Sequence, residues 1–169
     1  MIRPLREEDY SAAVAIVNDG WRAVYREYVD PALLSDTGCR ERAAGLERDF
    51  RSRRLEEHVW EENGEVLALL SAGETGDRDK PGAFEIWRVY VAEKARGKGI
   101  GGKLLAFGER LAREKGRREV VVWAFRRNTA ALAFYQSHGY RIDKTEDLGE
   151  PYMAQGTRLI KTLPEEEGP

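Results

Sequence analysis

The stretch that most restricts this chain runs from Glu85-Ile86-Trp87-Arg88-Val89-Tyr90-Val91 through Arg96-Gly97-Lys98-Gly99-Ile100-Gly101-Gly102 into Lys103. Its first part is rich in β-branched and aromatic residues and predicts a buried strand. After the glycines, Ile100, Leu104, Leu105, Phe107, Leu111 and Ala112 recur at helical spacing and predict a helix. Glycine lets backbone approach a ligand closely, the first N–H groups of a helix lack partners within it, and the helix dipole adds partial positive charge. With Lys98 and Lys103 at the helix start, the element reads as an anion site suited to a phosphate or pyrophosphate.

Two common phosphate-binding patterns fail here. Gly97-x-Gly99-x-x-Gly102 satisfies the letters of the dinucleotide fingerprint, which also expects an acidic residue about 20 positions later. That region is Val120-Val121-Val122-Trp123, ending in Arg126 and Arg127, and the dinucleotide reading fails at this second checkpoint. The Walker pattern G-x-x-x-x-G-K-[ST] does not occur.

What remains is Arg96-x-x-Gly99-x-Gly101 after a Val-Tyr-Val strand. It resembles the acyl-CoA loop, Gln/Arg-x-x-Gly-x-Gly/Ala, of the GCN5-related N-acetyltransferase (GNAT) superfamily. A second segment, Asn128-Thr129-Ala130-Ala131-Leu132-Ala133-Phe134-Tyr135-Gln136-Ser137-His138-Gly139-Tyr140, is similar to the later motif of that family, Asn-x-x-Ala-x-x-Phe-Tyr-x-x-x-Gly-Phe/Tyr. The two lie a helix and a strand apart, in the family's order.

The resemblance implies a single α/β (α+β) domain over residues 1–163. Its central sheet would be mixed but mostly antiparallel, with six or seven strands flanked by helices and splayed between the fourth and fifth. It implies acetyl-CoA as cofactor, with the pyrophosphate on the N–H groups of Arg96, Gly97, Lys98, Gly99, Ile100, Gly101 and Gly102, near Lys103. The pantetheine arm would pair with Val89, Tyr90 and Val91, and a backbone N–H near Val89 would face the thioester carbonyl. Asn128 has a helix-capping reading from its position alone; a contact to the cofactor arm comes from the resemblance.

Tyr135 stands where the family places a general acid, and a phenol with pKa near 10 is protonated at neutral pH. Its competing reading is a core tyrosine beside Phe134. Glu85 occupies a strand position often taken by the family's general base; an exposed strand-edge carboxylate is the alternative. Where other members carry a glutamate on the following strand, this chain has Trp123. A related subgroup commonly has a glutamate two residues before the asparagine, where this chain has Arg126. In the family the turn between the first two helices borders the acceptor pocket, so Trp21, Tyr25 and Tyr28 are acceptor-side candidates as well as core candidates. Trp87 and Trp123, on the two strands that part, join them.

Elsewhere the chain reads in order. Residues 2–5 form a short strand, and Tyr10, Ala13, Val14, Val17, Trp21 and Val24 lie on one helical face, with Gly20 as an expected bend. A second helix covers residues 37–54. Asn63-Gly64 between Val59-Trp60 and the apolar run from Val66 to Ala72 is a strong hairpin signal. Gly73 to Gly82 reads as an exposed polar connection. Glu119 to Phe125 is a nearly continuous apolar strand, as at a covered sheet centre. Two last strands, over residues 140–145 and 158–163, enclose an acidic loop. The tail at 164–169 is expected to be disordered.

At 169 residues the length suits one domain with a real core. A net charge of -2 gives no case for nucleic acid, and no run of about 18 apolar residues suggests a membrane span. The single cysteine, Cys39, leaves no internal disulfide and fits a reducing, cytoplasmic setting; it reads as a small core residue. His58 and His138, the two histidines, have no third partner at metal-ligand spacing, so no metal site is expected. The acceptor is open among small-molecule and peptide amines. A homodimer is common in the family, and the residues themselves fix no oligomeric state. Two functions follow: an amine N-acetyltransferase working by direct transfer in a ternary complex, or a non-catalytic acyl-CoA-binding sensor or regulatory module.

Overall fold

A computed structural model describes residues 1–165. In chain order the elements are β1 (Ile2–Pro4), α1 (Tyr10–Val24), α2 (Asp36–Ser52), β2 (Glu56–Glu62), β3 (Glu65–Glu74), β4 (Phe84–Val91), α3 (Ile100–Glu114), β5 (Glu119–Phe125), α4 (Thr129–Ser137), β6 (Arg141–Asp147) and β7 (Gln155–Thr162). The strands form one seven-stranded sheet in the order β1-β2-β3-β4-β5-β7-β6. Only the β4–β5 pair is parallel; the other neighbours are antiparallel.

Side-chain alternation along the strands sorts the core into two faces. Leu70, Ala72, Ile86 and Val122 pack with Leu104 and Leu105 of α3 and Tyr135 of α4. Leu69 and Val59 point the other way, onto Ala13, Val17 and Trp21 of α1 and Leu46 of α2. Burying a side chain of this kind contributes about 1.5–3 kcal/mol, enough to fix the register of each strand. Asn63 and Gly64 close the β2–β3 hairpin with φ of 53° and 79°, the left-handed pair that such a tight turn demands.

Two expectations need correction. Gly20 does not bend α1, which runs unbroken to Val24. A Cβ there would lie 2.9 Å from Cδ1 of Tyr90, so this glycine lets the helix settle onto β4. The connection from Gly73 to Gly82 is exposed at most positions, as expected, but it begins later and is tethered. β3 continues to Glu74, and Arg158 of β7 binds Asp77 at 2.9 Å and Asp79 at 2.7 Å, tying the segment over the sheet. Residues 166–169 of the acidic tail lie outside the described residues; Glu165, just before them, pairs with Arg118.

Candidate active site

β4 and β5 are in register only at Phe84–Val120, Glu85–Val121 and Ile86–Val122. From Arg88 to Val91 the strand keeps β3 on one side, Trp87 falling at a bulge, and from Trp87 on it has no strand partner on the other side among the described residues. Backbone donors and acceptors along that edge are therefore available to an extended ligand. The fork opens at the carboxyl ends of two parallel strands, the crevice where α/β sheets commonly bind ligands.

One cleft of about 300 Å³ fills the fork, lined among others by Val89, Val91, Arg96, Asn128 and Tyr135. Asn128 does two things at once: its Oδ1 accepts a hydrogen bond from the Ala131 N–H at 3.2 Å, capping α4, and its side chain borders the cleft. Tyr135 is buried, and its hydroxyl has no hydrogen-bond partner among the described residues. Burial raises its pKa above the ordinary phenol range, so the proton stays on at neutral pH.

The glycine loop divides its glycines between two tasks. Gly97 and Gly99 have φ of 76° and 75°, and a Cβ at either would meet nothing within 4 Å, so they serve the turn. A Cβ at Gly101 would sit 3.4 Å from Phe134, and one at Gly102 would come within 2.8 Å of Nε2 of His138. These two let α3 lie close to α4. No side chain caps the start of α3, which leaves its first N–H groups to an anion. Arg96 donates from Nε to the Val91 carbonyl at 3.2 Å, and Lys98 is exposed beside the loop. Lys103 places its ammonium 5.1 Å from the centre of the Trp60 ring, on the flank of α3.

A second cleft of about 390 Å³ adjoins the first; Tyr25, Trp87, Tyr90, Trp123 and Ala124 line both. Glu85 lies on its wall. The carboxylate is buried, not the strand-edge group of the alternative reading, and Oε2 accepts from Thr75 Oγ1 at 2.7 Å. Burial pushes its pKa up to about 7, and the Thr75 bond opposes that shift. Trp21, at the same cleft, donates from Nε1 to the Tyr90 hydroxyl at 3.0 Å; Trp123 does so to Asp77 Oδ2 at 2.9 Å, and Trp87 to the Glu74 carbonyl at 3.2 Å. The indoles are thus fixed by their polar edges, and each carries a cation over its ring: Arg42 at 4.4 Å from the Trp21 centroid, Arg54 at 4.7 Å from Trp87 and Lys144 at 5.7 Å from Trp123.

Sequence reasoning missed Phe125, whose ring stands 5.8 Å from Trp21, 4.9 Å from Tyr25 and 5.9 Å from Tyr152. Tyr152, from the β6–β7 loop, and Asp77 were missed with it. A parallel strand ending in an aromatic residue at a fork is the signal that could have found Phe125; nothing local marks Tyr152. Tyr28 is set apart from the other aromatic candidates. It lines a neighbouring depression with Arg126, Arg127 and Met153 and keeps a tilted contact to Tyr25 and an edge contact to Phe125. Cys39 is half-buried and accepts from Arg42 Nη2 at 3.3 Å.

The fork thus carries the glycine loop at one end and the aromatic cleft at the other. The family model described as "Acetyltransferase (GNAT) family" matches residues 21–140, and the chain belongs to that family. It is 26% identical to the protein named probable N-acetyltransferase Rv2775 of Mycobacterium tuberculosis, over 96% of this chain and 95% of that one. Among solved structures it is similar to an N-acetyltransferase from Staphylococcus aureus Mu50, with 29% identity, TM-score 0.75, and coverage of 97% and 98% of the two chains. It is also similar to yncA from Salmonella typhimurium, solved with its cofactor acetyl-CoA, with 25% identity, TM-score 0.73, and coverage of 100% and 96%. No helix among the described residues is long and apolar enough to cross a membrane.

Proposed function

We propose that the protein is an N-acetyltransferase that moves an acetyl group from acetyl-CoA to an amine by direct transfer in a ternary complex. The observation that carries this reading is the pair of adjoining clefts. One holds a buried phenol at Tyr135, the other a buried carboxylate at Glu85, and Trp87, Tyr90 and Trp123 form the shared wall. When bound, acetyl-CoA supplies the acetyl group as a thioester.

The open turn at Gly97 and Gly99 and the uncapped start of α3 fit a pyrophosphate, with Lys98 adding charge at the rim. The free edge of β4 from Trp87 to Val91 fits a peptide-like arm, oriented by Asn128 at the opposite side. Glu85 takes a proton from the ammonium form of the acceptor, which an ordinary carboxylate near pH 4 would do poorly. Tyr135 holds a proton at its hydroxyl for the departing thiolate and recovers one from solvent or from the acceptor nitrogen. Trp21, Tyr25, Trp87 and Trp123 line the acceptor side and limit water there.

The test is release of free CoA thiol from acetyl-CoA with a panel of small-molecule and peptide amines. Turnover on at least one amine, lost in the Glu85→Gln and Tyr135→Phe double variant, is the expected result. Tight CoA binding with no turnover on any amine would replace this reading with an acyl-CoA-binding module.

A further inference from the structure

We infer that the acceptor is a cationic amine on an aromatic or aliphatic body with no carboxylate next to the amine, selected because the acceptor cleft offers rings and negative charge and no cation. This rests on the acetyl-transfer reading for the identity of the cleft. The lining carries seven rings, those of Trp21, Tyr25, Trp87, Tyr90, Trp123, Phe125 and Tyr152, and three carboxylates, Asp77, Glu85 and Glu146. Among the described residues that line it there is no Lys, Arg or His. Ring faces attract an ammonium group and pack against flat or apolar bodies.

The cations near the cleft lie outside its lining and are engaged elsewhere. Arg42 stacks 4.4 Å from the centre of the Trp21 ring and donates to Asn18 and Cys39. Arg88 and Arg96 line the adjoining cleft, where Arg88 pairs with Asp49 at 2.7 Å and Glu57 at 3.5 Å and Arg96 donates to the Val91 carbonyl. Arg158 is 2% exposed and uses all five N–H donors. Nε and Nη2 bind Asp143 at 2.8 and 2.5 Å, Nη1 and Nη2 bind Asp79 at 2.8 and 2.7 Å, and Nη1 binds Asp77 at 2.9 Å. Lys144 is held between Asp79 at 3.5 Å and Glu146 at 3.1 Å, against the Trp123 ring. Arg54 stacks on Trp87 and pairs with Asp49 at 3.2 Å. Arg126 and Arg127 line the separate depression beside Tyr28, where Arg126 binds Gln155 at 2.6 Å and Arg127 the Glu27 carbonyl at 3.2 Å.

Of the three lining carboxylates, Asp77 is paired with Arg158 and Glu146 with Lys144, each cation being shared with further aspartates. Glu85 has a hydroxyl partner and no cation within salt-bridge distance among the described residues. An incoming ammonium is the missing counter-charge. An α-carboxylate on the same carbon would be desolvated beside Glu85 with nothing to pair it, and a site that leaves a charge unpaired discriminates strongly.

The experiment compares matched pairs that differ by that carboxylate: phenethylamine with phenylalanine, and 3-methylbutylamine with leucine. The intact protein is assayed for kcat/KM by thiol release, and for Kd by quenching of intrinsic tryptophan fluorescence in the presence of CoA. The expected result is a preference for the decarboxylated member of at least about tenfold in both readouts. In Glu85→Gln the preference in Kd shrinks at least about threefold, because the uncompensated charge is gone. Equal or better use of the amino acids, or an unchanged Kd preference in Glu85→Gln, overturns the inference. If no compound turns over, the fluorescence titration still decides: tighter binding of the amines upholds the cleft's selectivity while the acetyl-transfer reading falls, and no binding of either class overturns it.

Discussion

Thr75 donates its hydroxyl to Oε2 of Glu85 across 2.7 Å, joining the end of β3 to the buried carboxylate at the fork. This bond favours the ionised form, while burial favours the protonated one and sets the pKa at about 7. If the deprotonated form does the work, activity rises with pH through that value. Thr75→Val removes the bond, so the acidic limb of the kcat/KM profile moves to higher pH. In Glu85→Gln the limb is lost and kcat falls by about 10²–10⁴. A stopped pH series on the three proteins, read by thiol release, checks both outcomes.

Tyr135 lines the cleft at the fork, and its hydroxyl has no internal hydrogen-bond partner among the described residues. Tyr135→Phe therefore leaves no buried polar group orphaned, and the fold should be stable to within about 0.5 kcal/mol. Turnover is expected to fall by about 10²-fold or more, with CoA affinity unchanged. Calorimetric titration of CoA beside single-turnover kinetics separates the two effects.

The two classes of loop glycine predict opposite phenotypes. Gly99→Ala forces a left-handed backbone on alanine at a cost of about 1–2 kcal/mol, into open space, so the loop relaxes and CoA binding weakens with little change in the core. Gly102→Ala drives a methyl against the His138 ring, which is itself held by its Nδ1 contact to the Phe134 carbonyl at 2.8 Å. Overpacking there costs about 1–3 kcal/mol. Thermal unfolding should show most of that loss recovered when Gly102→Ala is combined with His138→Ala, a coupling absent between Gly99→Ala and His138→Ala.

Glu57 is a second buried carboxylate, on β2, away from the fork. Burial raises its pKa to about 7 against the hydrogen bond from Ser71 and the charge of Arg88. In the unfolded chain it titrates near 4.5, so between the two values the folded state binds the proton more tightly. Its contribution to stability is present below the unfolded value and is lost as pH rises through about 7. Denaturant melts at about pH 5 and pH 8 should show wild-type stability falling over that interval, and Glu57→Gln should cut the fall by about 1–3 kcal/mol.

The aromatic cleft illustrates what could be read locally. Trp21, Trp87 and Trp123 were recognisable as acceptor-side candidates from their places on α1, β4 and β5, and the fold gathers all three around one cleft. Tyr28 carried the same credentials but lies beyond the end of α1, where Arg127 stacks 5.4 Å from the centre of its ring. Phe125 and Tyr152 escaped notice since each matters only through partners far along the chain.

By itself the sequence determined the order of elements, the left-handed hairpin at Asn63-Gly64, the turn at Gly97 and Gly99, and the family. These follow from side-chain periodicity and backbone sterics, which act between near neighbours. Tertiary structure decided whether Glu85 would be a solvated edge carboxylate or a buried one, that Gly20 and Gly102 serve close packing, and that Arg158 is consumed by three aspartates from two other segments. Burial, steric approach and charge compensation depend on groups brought together from distant positions, and a titrating carboxylate at the fork exists only once β4 and β5 have parted around it.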